Sequence, residues 1–465
     1  MGERVELPGV VLPGLIDAHV HLTTTGLFNG ELDFREARSV DALLAELKRF
    51  VEREPQREWV IGGNFDPGRN EEERMPLASD IDAICGPRKV LLARADGHSS
   101  ALSSAGLDVV GVDDSVEGVD RGRDGTPTGV LRNEANYKAR TRFFSALPDE
   151  EVRQAHSAAC DVALSRGVTS VHEMAGGAIM GDRDFDLLVA AMPDLPINVK
   201  PYLATIEIDK VKEAGLDCIG GDLFLDGSIG SMTAAMTEPY EGTDLFGFRY
   251  HEDQEMIDWY VASMRAGLQT GVHAIGDAAI EQALRCLEAA ARELGDTQVS
   301  RMRNRIEHFE CVSDDHLERA RKLGVVASVQ PAFDAYWGGD GMYRQRLGQA
   351  RSRRMNPFAA MVGEGMRPAG GSDSTVTPLD PFAGMAAAMG HHEPEHRVEA
   401  GTALRMFTIW AAEAGFDEEN RGSIELGKVA DFCVVSADPR ALAADEVAGI
   451  QVLQTWVGGE LAYSN

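Results

Sequence analysis

The sequence predicts an α/β protein built as a (β/α)8 TIM-type barrel, with an insertion after the first βα unit and a small β-rich subdomain from the C-terminal tail. Two observations lead there. Short apolar runs alternate with longer helical patterns over most of the chain, the mark of βα units around a parallel sheet. Eight such runs qualify as strands, at residues 14–19, 169–172, 197–203, 222–226, 270–273, 305–308, 325–329 and 367–373.

The segments between them carry helix signals. Ile280, Leu284, Leu287, Ala291 and Leu294 line one face of a helix, and Leu43, Leu47, Phe50 and Val51 repeat the pattern earlier. Ser313 is placed to cap a helix with Asp314 and Asp315 in its positive first turn, and Gly324 closes it before the seventh strand. Residues 59–148 carry turn signals (Asp66-Pro67-Gly68, Asp124-Gly125-Thr126-Pro127) and several short apolar runs. They are expected to form an insertion covering the active site. The barrel then comprises 14–58 and 149–420, and the small β subdomain 1–13 with 421–465, where the tail is extended and turn-punctuated.

Composition narrows the roles. Across 465 residues, 45 Lys and Arg against 75 Asp and Glu give a net charge of −30, which repels phosphate backbones and anionic lipid. The partner expected is a small-molecule substrate, with no nucleic acid and no membrane. The opening residues lack a secretory-signal pattern, so the expected location is cytoplasmic. The six cysteines are scattered without a C-x-x-C, which predicts reduced packing residues. No P-loop or dinucleotide fingerprint is present.

Chemistry concentrates at the strand ends. His19 and His21 are two apart and so share a face of an extended strand. His273, His308 and Asp373 end the expected fifth, sixth and eighth strands, where active sites of barrels sit. Four imidazoles and a carboxylate on one rim would be desolvated at high cost unless they hold a cation, and neutral imidazole suits zinc. His172-Glu173 is a further candidate pair, expected to act as support behind the site. His391, His392 and His396 read as solvated surface, as does Glu71-Glu72-Glu73.

These features come with longer motifs. PGLIDAHVHL (13–22), ADGHSSALSSAGL (95–107), PTGVLRNEA (127–135), GVTSVHEM (167–174), LFLDGSIGSMTAA (223–235), VHAIGDAAI (272–280), RIEHFECV (305–312), GGSDSTV (370–376) and RGSIELGKVADFCVV (421–435) span nearly the whole chain. Together they resemble the amidohydrolase superfamily, in particular the family 3 branch that includes N-substituted formamide deformylases. The resemblance implies a metal-dependent hydrolase, with zinc the expected ion. His19, His21 and Asp373 would hold one ion, while His273 and His308 hold or face a second. Asp373 would take the proton of a water made reactive by the ion and pass it to the leaving nitrogen. His308 or His98 would donate to the developing oxyanion. The resemblance also places His98 and, in the DGSIGS loop, Asp226 and Ser228 toward substrate. Phe333 and Trp337, with Tyr336, are expected to wall an apolar part of the pocket.

Two departures from the family shape the expectation. Asp222 stands where relatives carry a carboxylated lysine bridging two ions, and the shorter carboxylate predicts one tight ion and a weak second. Fewer residues precede Pro13 than in relatives, so either the true start lies upstream or the subdomain is pared down, its tail-strand edges covered by something else such as a homodimer partner. The expected reaction is cleavage of a non-peptide carbon–nitrogen bond in a formamide, N-acyl amine, carbamate or cyclic amide. The alternatives are deamination, ester hydrolysis, decarboxylation or isomerisation on the same scaffold, or a catalytically silent binding protein.

Overall fold

Runs of apolar and β-branched residues become strands, and the amphipathic segments between them become helices that bury the marked stripe. The computed structural model describes residues 6–28, 32–34, 36–65, 67, 74–94, 99–112, 116–176 and 181–465. Asp66 and Gly68 of the first turn signal, Glu71-Glu72-Glu73 and His98 lie outside the described residues. The fold is mixed α/β with parallel sheets. It divides into two compact units, one comprising the described residues of Met1–His21, Ala163–Gly177 and Val189–Asn465, the other those of Leu22–Val162 and Ala178–Leu188.

In the first unit β1 (Leu15–Val20), β2 (Val168–Ala175) and β3 (Asn198–Leu203) form a three-stranded parallel sheet in that order. Then β4 (Cys218–Ile219), β5 (Gln269–Ala274), β6 (Arg305–His308), β7 (Val326–Val329) and β8 (Ala369–Gly370) form a five-stranded parallel sheet, also in chain order. Backbone hydrogen bonds continue at the ends of both sheets. The Gly220 N–H donates to the Leu203 carbonyl at 2.8 Å, and the Asp373 N–H to the His19 carbonyl at 2.8 Å.

The expected fourth strand is displaced. β4 stops at Ile219, because the chain turns through Gly220 and Gly221 at φ 87° and 69°. A Cβ on Gly220 would lie 2.1 Å from the Gly271 carbonyl oxygen, and one on Gly221 2.6 Å from Tyr202 Cβ, so only glycine fits this close approach. Residues 222–226 then run irregularly, joined to β5 through a single Phe224–His273 bridge. The eighth strand is likewise shorter than the expected 367–373.

Helix Asp277–Leu294 buries Ile280, Leu284, Leu287 and Ala291, with Leu294 half-buried, as the periodicity requires. Each fully buried Leu or Ile contributes about 1.5–3 kcal/mol. Helix Asp314–Leu323 begins at Ser313, whose Oγ accepts the His316 N–H at 3.2 Å, and ends at Gly324 in the left-handed region. Replacing Ser313 with alanine is expected to lower stability by about 1 kcal/mol in urea unfolding; an unchanged midpoint would show the cap to be idle.

The tail builds a separate antiparallel sheet in this unit, ordered Val10–Pro13, Phe432–Val435, Val452–Val457, Glu460–Ser464. Phe432 and Trp456 stack at 5.4 Å across it.

The second unit holds a five-stranded sheet ordered Trp59–Phe65, Lys89–Arg94, Ser99–Leu102, Pro127–Arg132, Val119–Arg121, parallel only in its first pair. Helix Val40–Arg53 buries Val40, Leu43, Leu47 and Phe50 in the core of this unit, with Val51 half-buried. All six cysteines are free and five are buried. Among the described residues, no helix is long and apolar enough to cross a membrane.

Candidate metal centre

Alternation along β1 and into the residue after it sends Asp17, His19 and His21 to one side, and all three are buried. From there the expected residues converge within the first unit. The Nε2 atoms of His19 and His21 lie 3.5 and 3.1 Å from Asp373 Oδ1. Asp222 Oδ1 lies 3.5 Å from His308 Nε2, and its Oδ2 is 3.8 Å from His21 Nε2. His273 joins through Nδ1–H, which donates to Asp222 Oδ1 at 3.0 Å.

Two sets, His19 with His21 and Asp373, and His19 with Asp222 and His308, each offer ligand atoms lying within 4.8 Å of one another. Asp222 reaches between the sets despite its short side chain, because the displaced segment after Gly221 carries it there. His273 belongs to neither set as it is turned, since its Nδ1 faces Asp222 and its Nε2 the Gly227 carbonyl at 3.3 Å. His308 and Asp373 have φ of 71° and 52°, a left-handed backbone that non-glycine residues adopt at a cost and that concentrates at functional sites.

Other groups aim these rings. His19 donates Nδ1–H to Glu307 Oε2 at 2.9 Å, His21 donates Nδ1–H to the Met174 carbonyl at 2.9 Å, and His308 donates Nδ1–H to Gln330 Oε1 at 2.8 Å. That leaves the Nε2 atoms of His19 and His308 buried with no hydrogen-bond partner. Two orphaned nitrogens beside two carboxylates are what a cation would satisfy, so the residues fit a divalent metal.

Glu307 is itself held. Arg305, fully buried, donates Nε–H to Glu307 Oε1 at 2.7 Å and Nη2–H to Oε2 at 3.0 Å. The same guanidinium donates to the Ala18 carbonyl at 2.6 Å and to His172 Nδ1 at 2.8 Å, and lies 4.6 Å from the Tyr202 ring centre. His172 thus accepts a hydrogen bond behind the site. Asp17 Oδ1 accepts the backbone N–H of His19 at 3.1 Å and of Ser372 at 2.9 Å, tying β1 to the segment that carries Asp373.

Burial opposes charge on every one of these groups, and specific partners override it. Asp222 is held well below the usual carboxylate range by the hydrogen bond from His273 and the close approach of His308, and Asp373 is lowered by the charges and hydrogen bond of His19 and His21. His21 is carried up to about 10 by Asp373, and His308 up to about 9 by Asp222 and Asp373. Arg305 and His19 hold Glu307 at about 2. The cluster therefore has a strongly negative potential that protons offset and a divalent ion would offset better.

The remaining expected residues divide. Asp226 is fully buried, and its carboxylate accepts the backbone N–H groups of Ile275, Gly276 and Ala235 at 3.0, 2.8 and 2.8 Å, so it fixes the loop. Ser228 Oγ shares a 2.8 Å hydrogen bond with Ser231 Oγ. Phe333 stacks on His308 at 6.0 Å, and Trp337 lies 4.6 Å beyond it. His391, expected at the solvated surface, is buried instead, with its Nε2 3.3 Å from Asp334 Oδ1. Sequence reasoning missed Glu307, Arg305 and Gln330. The signal for the first two was present: an Arg and a Glu two apart in a buried strand are tolerated only as a pair.

The amidohydrolase family model matches residues 9–463. The chain is 30% identical to Protein LONG AFTER FAR-RED 3 of Arabidopsis thaliana, covering 99% of this chain and 83% of that protein. It is 26% identical to the N-substituted formamide deformylase of Arthrobacter pascens, covering 97% and 88%. A crystal structure of an uncharacterized metal-dependent hydrolase from Pyrococcus furiosus is similar with a TM-score of 0.78 at 27% identity, covering 92% of this chain and 88% of that one.

Proposed function

This chain belongs to the amidohydrolase family and is a hydrolase, and from that premise we propose that it cleaves a non-peptide carbon–nitrogen bond with a divalent metal, zinc first among the candidates. We read the two parallel sheets as one eight-stranded (β/α)8 barrel, supported by the hydrogen bonds that continue from Gly220 to Leu203 and from Asp373 to His19. The observation that carries the functional reading is the convergence of His19, His21, Asp222, His308 and Asp373 with two imidazole nitrogens left unpartnered.

His19, His21 and Asp373 would hold the tight ion. Asp222 and His308 would hold a weaker second one, because the Nε2 of His273 faces the Gly227 carbonyl at 3.3 Å and its Nδ1 is engaged by Asp222, so neither ring nitrogen is offered to an ion. A divalent ion supplies there a Lewis acid that polarises a carbonyl and lowers the pKa of water. Asp373 accepts the proton of the attacking water and delivers it to the leaving nitrogen. Glu307 keeps His19 in the tautomer whose Nε2 is free, and Gln330 does the same for His308. His308 therefore serves as a ligand when neutral and as a donor to the carbonyl oxygen when protonated. The free, mostly buried cysteines are consistent with our assignment to the cytoplasm.

The test is a panel of formamides, N-acyl amines, carbamates and lactams given to metal-reconstituted protein, with amine release as the readout. No release from any of them by folded, loaded protein overturns the reaction. Metal analysis after dialysis is expected to find one equivalent per chain; two retained equivalents overturn the tight-and-weak arrangement.

A further inference from the structure

We propose that the substrate carries a bulky aromatic or similarly apolar group beside its scissile bond, an inference that rests on the hydrolase reading above and deepens it. Two series of rings lead away from site imidazoles. From His273, ring centres step 4.6 Å to Phe224, 6.2 Å to Tyr250 and 5.0 Å on to Phe248. From His308 they step 6.0 Å to Phe333 and 4.6 Å to Trp337. The first series begins at a buried histidine and ends at Tyr250 and Phe248, which are 52% and 49% exposed. Aromatic rings that lead from a reactive centre to an exposed face offer an apolar substituent a place to leave water.

This segment is held in place by its own backbone. The Met236 N–H donates to the Phe246 carbonyl at 2.8 Å, the Phe248 N–H to Thr233 at 3.3 Å and the Tyr250 N–H to Leu225 at 2.9 Å. Gly247, at φ 68°, sits so close to the Ala234 carbonyl that a Cβ would lie 2.0 Å from its oxygen. The rings are thus presented on a fixed frame, which keeps the entropy cost of binding low.

Charge along these segments is mainly acidic. Between 236 and 250 the one cation, Arg249, is paired with Asp253 at 3.3 Å, while Glu238, Glu241 and Asp244 are acidic. Residues 331–343 contain no Lys or Arg and include Asp334 and Asp340. A neutral or cationic aromatic group meets matching surface there.

The experiment compares formanilide, N-methylformamide and N-formylglycine with metal-reconstituted wild-type protein and with the double variant Phe248→Ala, Tyr250→Ala, whose exposed positions leave the core intact. Wild type is expected to prefer formanilide, and the ratio of kcat/KM for formanilide over N-methylformamide is expected to fall about tenfold in the variant. An unchanged ratio, or a wild-type preference for N-formylglycine, overturns the inference. If none of the three is hydrolysed, the reaction is wrong, and calorimetric binding of formanilide against N-methylformamide decides this point separately. Tighter formanilide binding that the variant loses upholds it, and equal binding overturns it. A dimer that dissolves in the variant with the ratio unchanged also overturns it, assigning the rings to a second copy of the chain.

Discussion

Asp373→Asn leaves a folded protein whose turnover is expected to fall by roughly 10²- to 10⁴-fold, the range associated with loss of a positioned proton acceptor. Asparagine nearly matches aspartate in shape, and the Asp373 N–H that bonds to the His19 carbonyl is backbone and stays. What disappears is the negative oxygen that His19 and His21 both approach, 3.5 and 3.1 Å away. An amide neither accepts the proton of water nor returns one to a leaving amine. Turnover and metal content are to be measured on the same preparation. Near-wild-type kcat with metal retained would remove Asp373 from the chemistry, and loss of metal along with activity would assign it chiefly to ion binding.

Arg305→Met is expected to cost about 3–5 kcal/mol of stability, because it strands the Glu307 charge in a fully buried site. The combined change Arg305→Met with Glu307→Leu should recover much of that loss, since neither charge then remains. Urea unfolding at neutral pH measures both. The acid limb gives an independent check. Glu307 is depressed from 4.5 to about 2 in the folded protein, so its contribution is complete above about 4.5 and is lost as pH falls toward about 2. Arg305→Met should flatten that limb. Equal stability of wild type and single variant would mean that Glu307 finds another counter-charge.

Much of the site was legible because its ligands end strands whose runs are unambiguous. The H-x-H of β1, His273 and His308 each follow an apolar run, and period two fixes which way they face. Asp222 misled for a local reason. The run DLFLD reads as a strand, yet Gly220 and Gly221 have already turned the chain, and Asp222 arrives from an irregular segment that lets a short carboxylate reach both sets of ligands. The residues that aim the imidazoles were harder to see, because a hydrogen bond such as that from His308 to Gln330 joins the end of one strand to the residue after the next, and spacing along the chain says nothing of such contact. His391 failed for a similar reason: its loop reads as polar surface, while Asp334, far off in sequence, meets it in the interior.

The shielding of the cysteines turns them into clocks. Burial pushes the thiols of Cys160, Cys218 and Cys433 up to about 12, and that of Cys85 up to about 11. In the native state almost no thiolate is available to an alkylating reagent. Labelling at Cys85 would then time the opening of the smaller unit, and labelling at Cys218 and Cys433 that of the larger one. One mass spectrum recorded along a denaturant series would show whether the halves of this chain let go together.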